Sequence, residues 1–209
     1  MKYKLVIFDF DGTLADTLPW FTRVINKVAE KFNFKRIAPE EKETLRGYDA
    51  NRMRKHLGVP LWKMPLIANH MHSLMAGDIR DIALFEGVDH LLQCLSGRGI
   101  LLAVVSSNSS DNVRQLLGPA NTALISDFEC GVSVFGKQSK LRAILSKTGA
   151  APAETIYVGD EIRDIEAAQS VDIAFGAVAW GYNTLEALTV HSPDEVFASI
   201  DDLIRILGE

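Results

Sequence analysis

The sequence predicts a doubly wound α/β fold, a parallel sheet carrying a small inserted helical module. Short continuous apolar runs end on polar or glycine residues, helical periodicity fills the intervals between them, and one stretch of about seventy residues carries helical periodicity alone. With 209 residues, 47% apolar and 23% charged, the chain can build an ordinary core, which excludes disordered and fibrous classes.

The first run, Leu5-Val6-Ile7-Phe8, ends at Asp9 and has the pattern of a strand buried on both faces of a parallel sheet. From Asp16 to Phe85 no convincing strand follows. Val24, Ile25, Val28 and Phe32 recur at helical spacing, with further helical stretches around 40–57 and 63–79. The chain therefore divides into an α/β core, residues 1–15 and 86–209, and a helical insert, residues 16–85. The borders near Ala15 to Leu18 and Leu84 to Gly87 are short enough to act as hinges. Beyond them Val88, Leu91, Leu92 and Leu95 read as helix, Ile100 to Val105 as a strand ending at Ser106, and Leu141, Ile144 and Leu145 as helix. Thr155 to Val158 and Ile173 to Ala179 are further strands, closing on Gly159-Asp160 and Trp180-Gly181.

Charge separates the two parts. The insert holds 12 basic and 8 acidic residues (+4), and the remainder holds 10 basic and 19 acidic (−9), for a net charge of −5. Basic residues form no stripe, which argues against a nucleic-acid partner. No apolar run approaches 18 residues and the N-terminal one is too short for a signal, so neither a membrane partner nor export is expected. Cys94 and Cys130 cannot frame a disulfide scaffold, and the expected location is the reduced cytoplasm. His70 and His72 are two apart, on different sides of a helix, so a histidine zinc site is not expected.

The chemistry lies at the strand ends, where open α/β sheets bind their ligands. Asp9-Phe10-Asp11-Gly12-Thr13 sets two carboxylates two residues apart after a strand, with a glycine allowing a sharp turn. A calcium loop would need Glu where Trp20 stands. Gly159-Asp160-Glu161-Ile162-Arg163-Asp164 adds two more aspartates, four residues apart. Packed together, Asp9, Asp11, Asp160 and Asp164 would repel by about 4 kcal/mol for each pair 4 Å apart, so the cluster demands a cation. Hard oxygen ligands without His or Cys suit magnesium. Ser106-Ser107-Asn108-Ser109 offers a hydroxyl and successive backbone N–H groups at a helix start, an anion-binding arrangement. Lys137, after Val134-Phe135-Gly136, is a cation at a helix start, where the helix dipole favours an anion.

These runs, D-F-D-G-T-L-A-D-T, the Ser106 strand end, F-G-K and G-D-E-I-R-D, resemble in order the four motifs of the haloacid dehalogenase-like hydrolases, and phosphoglycolate phosphatase-like members above all. The resemblance implies a Rossmann-like core whose insert is a helical cap, and a magnesium-dependent phosphatase working through an aspartyl-phosphate intermediate. Asp9 would be the nucleophile and Asp11 the acid and base; Asp9, Asp11 (through its carbonyl) and Asp160 would hold the metal, with Asp164 holding metal-bound water. Ser106, with the N–H groups of Ser107 and Asn108, would grip the phosphoryl oxygens, and Lys137 would share the transition-state charge. Many relatives follow the third-motif lysine with Pro-x-Pro, whereas this chain reads Lys137-Gln138-Ser139-Lys140, so either lysine can be that cation; Gly136 favours Lys137.

The expected substrate is a small phosphorylated metabolite, and the expected assembly a monomer or homodimer. Arg46, Trp20, Phe21 and Arg54 are candidates to face the leaving group, although the aromatics can equally pack between insert helices. The cationic insert implies a leaving group with a second negative charge. The alternatives are a phosphomutase of the β-phosphoglucomutase type, which usually carries His where Phe21 stands, a dehalogenase, which needs no acid at Asp11, and a non-catalytic binding domain.

Overall fold

Strand β1, Leu5–Phe8, lies at the centre of the sheet in this computed structural model, which describes residues 2–132 and 136–207. Its four side chains are fully buried. Successive side chains leave a strand on opposite faces, so Val6 and Phe8 enter one apolar layer while Leu5 and Ile7 enter the other. Each such burial contributes about 1.5–3 kcal/mol, which is why the run tolerates no polar alternation.

The chain then leaves the sheet. Helix α1, Leu18–Phe32, carries Pro19 in its first turn, where a missing N–H costs nothing, and ends at Asn33 in the left-handed conformation (φ 52°). Short pieces follow: α2, Lys42–Leu45, and α3, Ala50–His56, whose Asp49 carboxylate caps the N–H groups of Asn51 and Arg52. Helix α4, Met64–Gly77, completes the series, with 3₁₀ turns at Pro39–Glu41, Leu61–Lys63 and Ile79–Asp81. Two small apolar clusters hold these helices, one around Trp20, Val24 and Met75, the other around Ile25, Leu45 and Leu57. The two ends of the segment are stitched together: Asp16 N–H donates to the Ala83 carbonyl and Phe85 N–H to that of Leu14, both at 2.9 Å.

The remaining elements alternate: α5, Val88–Gly97; β2, Leu101–Val105; α6, Ser110–Leu124, broken at Gly118-Pro119; β3, Asp127–Glu129; α7, Gly136–Thr148; and β4, Thr155–Gly159. After these come α8, Ile162–Gln169; β5, Ala174–Val178; α9, Leu185–Thr189; β6, Glu195–Phe197; and α10, Ile200–Leu207. All pairings are parallel, in the order β3-β2-β1-β4-β5-β6. The side chains of α5 and α10 fill one face of the sheet and those of α7 and α8 the other. The chain steps outward from β1 to β2 and β3 on one side and to β4, β5 and β6 on the other, so the switch point opens beside β1. No helix among the described residues is long and apolar enough to cross a membrane.

Strands β3 and β6 have no counterpart in the sequence reading. Each is three residues long at or near an edge, with at most one fully buried side chain, too short for an apolar run to mark.

Candidate active site

Phe8 pairs with Val104 of β2 and Val158 of β4, so the residues that follow these three strands emerge at one rim. Asp9 N–H donates to the Val158 carbonyl at 2.8 Å, which holds its carboxylate beside Asp160, one residue past β4. One oxygen each from Asp9, Asp160 and Asp164 lies within 4.8 Å of the others, and all three residues are buried.

Their surroundings differ. The Lys137 ammonium donates to Asp9 at 2.6 Å and to Asp164 at 2.5 Å, bridging the two. Asp164 also accepts the Tyr157 hydroxyl at 3.0 Å and, as the N3 residue of α8, the Glu161 N–H at 3.2 Å. Asp160 accepts the Thr13 hydroxyl and the Tyr182 N–H, each at 2.7 Å, and among the described residues it has no cationic partner. Its nest is shaped by glycine: Gly12 turns at φ 79°, and a Cβ there or on Gly181 would overlap the Asp160 side chain.

These environments set the charge. Burial pushes the Asp9 carboxyl up to about 7 against the pull of Lys137, and pushes Asp160 well above the usual carboxylate range, with Asp9 and Glu161 adding repulsion. Burial works against the Lys137 ammonium too, yet Asp164 and Asp9 raise its pKa and keep it charged. A buried carboxylate lined by dipoles and facing two more carboxylates fits a hard divalent cation. Oxygens around magnesium, about 2.0–2.1 Å from the ion, lie about 3–4 Å apart, close to the size of this cluster.

Asp11 is half-buried, and both its oxygens accept the Asn108 side-chain amide at 3.1 Å. Burial raises its carboxyl to about 6, with the Asn108 hydrogen bonds pulling the other way. Ser106 is fully buried, and its hydroxyl accepts the Asn108 N–H at 3.0 Å. That backbone donor, expected to grip a phosphoryl oxygen, is thus engaged within the loop, and the Asn108 side chain instead reaches Asp11 and the Met75 sulfur. Ser107 stands half-buried between them. Lys140 does not join the carboxylates; its ammonium donates to the Ser106 carbonyl at 2.6 Å. Val134 and Phe135 of the third motif lie outside the described residues.

Arg46, expected over the leaving group, is hydrogen-bonded to the loop that also holds Asp160. Its Nε donates to the Tyr182 carbonyl at 3.2 Å and its Nη2 to that of Gly181 at 3.1 Å, with Nη1 on Glu43. Arg54 is held by Val59 and Asn51 within the insert. Trp20 is a core residue whose indole N–H donates to Asp78 at 2.9 Å. Phe21 meets the ring of Tyr182 edge-on, centroids 5.6 Å apart. The sequence reading missed Thr13, which supports Asp160, and the hydroxyl of Tyr157, which comes from the middle of β4. Thr13 was visible as the fifth residue of the first motif; a tyrosine in an apolar strand leaves no such signal.

With this geometry in hand, comparison with known proteins places the class. The family described as haloacid dehalogenase-like hydrolase matches residues 6–178, and the chain belongs to it. It is a phosphatase of that family: it is 31% identical over 207 residues, 99% of this chain and 98% of the other, to a phosphoglycolate phosphatase of Synechococcus elongatus. It is also 29% identical over 214 residues, 97% and 95% of the two chains, to a pyrophosphatase of Bacillus pumilus. A solved structure from Lactobacillus plantarum shares the fold, with a TM-score of 0.82 at 21% identity over 98% of this chain and 99% of the other.

Proposed function

We propose that the chain is a magnesium-dependent phosphatase, phosphoglycolate phosphatase-like, that hydrolyses a small phosphorylated metabolite through an aspartyl-phosphate on Asp9. The observation that carries this reading is the convergence of the Asp9, Asp160 and Asp164 oxygens within 4.8 Å, beside an ammonium that touches two of them.

The Asp9 carboxylate attacks phosphorus, and the bond from phosphorus to the leaving oxygen breaks as Asp11 passes that oxygen a proton. Water then attacks the same phosphorus, Asp11 takes the water's proton, and the Asp9–phosphorus bond breaks to release inorganic phosphate. Asp11, raised to about 6, sits in the range where a carboxyl can both give and take a proton near neutrality. Lys137 holds Asp9 in place and offers positive charge beside the transferring group. Asp9, Asp160 and the Asp11 carbonyl, with Asp164 behind, would hold magnesium, which when bound would supply the charge that lets a carboxylate approach an anionic ester. Ser106 and the Ser107 N–H bind the phosphoryl oxygens. Residues 16–85 act as a cap over the rim, opening for exchange and closing to exclude water, with the stitched ends of the segment as the hinge.

The +4 insert over the −9 core, together with the name of the Synechococcus relative, supports an ester whose leaving group carries a carboxylate. A phosphomutase role is disfavoured, since Phe21 stands against Tyr182 where that chemistry would place an imidazole. Phosphate release from a panel of esters and pyrophosphate, with and without magnesium, tests the reading. Magnesium-dependent turnover fastest on a phosphorylated hydroxy acid is expected; silence across the panel would favour a binding domain, and equal rates on neutral and acidic leaving groups would remove the charge argument.

A further inference from the structure

We propose that Lys140 is a positioning residue for phosphoryl binding, fixing the two loops that frame the anion site and bringing a buried charge that, among the described residues, forms no ion pair. The inference rests on the phosphatase reading and adds to it a residue outside the four-motif roles.

Lys137 lies in the first turn of α7 and Lys140 at the start of the second, three residues apart on one side of the helix, near the end where the helix dipole disfavours cations. The carboxylates of Asp9 and Asp164 account for Lys137. Nothing of the kind accounts for Lys140. It is 7% exposed, and its ammonium donates to two neutral groups, the carbonyls of Ser106 and Gly131. Among the described residues no carboxylate lies within ion-pair distance of it, so the charge is buried against dipoles alone, a costly arrangement unless a ligand completes it. Burial lowers its pKa; Cys130 pulls against that, Lys137 adds repulsion, and Asp9 and Glu129 attract more weakly from beyond ion-pair distance.

The two carbonyls belong to the loops after β2 and β3. In a planar trans peptide the C=O and the following N–H point opposite ways. Holding the Ser106 carbonyl therefore aims the Ser107 N–H to the other side of that peptide. The Gly131 N–H in turn donates to the Asn108 carbonyl at 2.6 Å, so Lys140 and Gly131 together pin two carbonyls of the 106–108 loop. A phosphoryl anion on that loop would meet prearranged donors and a nearby unneutralised cation.

The test is calorimetry on the purified full chain, measuring inorganic phosphate binding with magnesium present, and magnesium binding alone, for wild type, Lys140→Met and Lys140→Arg. Lys140→Met is expected to bind phosphate at least about tenfold more weakly and to lose kcat/KM to match, with its magnesium Kd within about twofold of wild type. Lys140→Arg, which keeps the charge, is expected to stay within about threefold for phosphate. Phosphate affinity within about threefold of wild type in Lys140→Met would overturn the proposal, and so would a parallel loss of magnesium affinity, which would mark collapse of the carboxylate cluster. If Lys140→Met yields no cooperative melt, Lys140→Arg decides alone: retention within about threefold supports the proposal and a larger loss overturns it. Wild-type protein that releases no phosphate from any ester would defeat the phosphatase reading instead, and the phosphate-binding comparison would still be readable.

Discussion

Asp160 is where the charge balance of the site turns. It is fully buried, accepts two hydrogen bonds from neutral donors, and faces Asp9 and Asp164 with no cation of its own among the described residues. Burial raises its carboxyl and lifts that of Asp9 to about 7. A carboxyl whose folded pKa is raised stabilises the fold at pH below its ordinary value and loses that contribution as pH rises through the folded value. In the metal-free protein the Tm should therefore fall as pH climbs from the ordinary carboxylate range past about 7. Magnesium binds the ionised forms, so the Tm gained on adding it should be larger near pH 8 than near pH 5. Scanning calorimetry in chelator and in magnesium checks this, and an equal gain at both pH values would contradict it. The acidic members of this site were legible because each motif ends a strand, and parallel strand ends converge. The roles of Arg46 and the Asn108 N–H were not, because they depend on the path of the Gly181-Tyr182 loop and on a turn closing back onto Ser106, which spacing along the chain does not encode.

Between elements, the loop after β5 joins the parts of the structure most closely. Asn183 is buried; its amide donates to the carbonyls of Arg46 at 2.6 Å and Tyr48 at 3.0 Å in the helical segment, while its carbonyl oxygen accepts the Ile162 N–H at the start of α8 at 2.9 Å. One side chain thus ties the helix bearing Asp164 to residues 46–48. Tyr182, its neighbour, reaches the Thr17 hydroxyl at 3.0 Å. Asn183→Ala takes the partner from the Ile162 N–H and one of two from the Arg46 carbonyl, which keeps the Thr184 N–H at 3.2 Å, and should cost about 1–3 kcal/mol in urea unfolding. A loss below about 0.5 kcal/mol would show that water or a shifted loop replaces those bonds. The same scale explains which elements the sequence disclosed. Leu5–Phe8 and Leu101–Val105 carry runs of buried apolar residues, and Leu18–Phe32 presents Val24, Ile25 and Val28 on one face. Asp127–Glu129 and Glu195–Phe197 draw their strand character from pairing alone, whereas α6 breaks at Gly118-Pro119, where local propensity would end a helix.

Across the whole molecule, a parallel sheet brings together groups separated by more than 120 residues: Lys137 reaches Asp9 across 128 positions, and Thr13 reaches Asp160 across 147. The opposed charges of insert and core are a property of the same scale, and the preference proposed for anionic esters should weaken as salt is raised. The central claim is that Asp9 carries the phosphoryl group between substrate and water. Borohydride reduction of the enzyme caught during turnover, followed by peptide mapping, tests it directly, since an acyl phosphate is reduced to the alcohol and a free carboxylate is not. Conversion at position 9, dependent on both magnesium and substrate and absent in Asp9→Asn, is the predicted result; steady phosphate release with Asp9 unmodified, or turnover retained in Asp9→Asn, would contradict it.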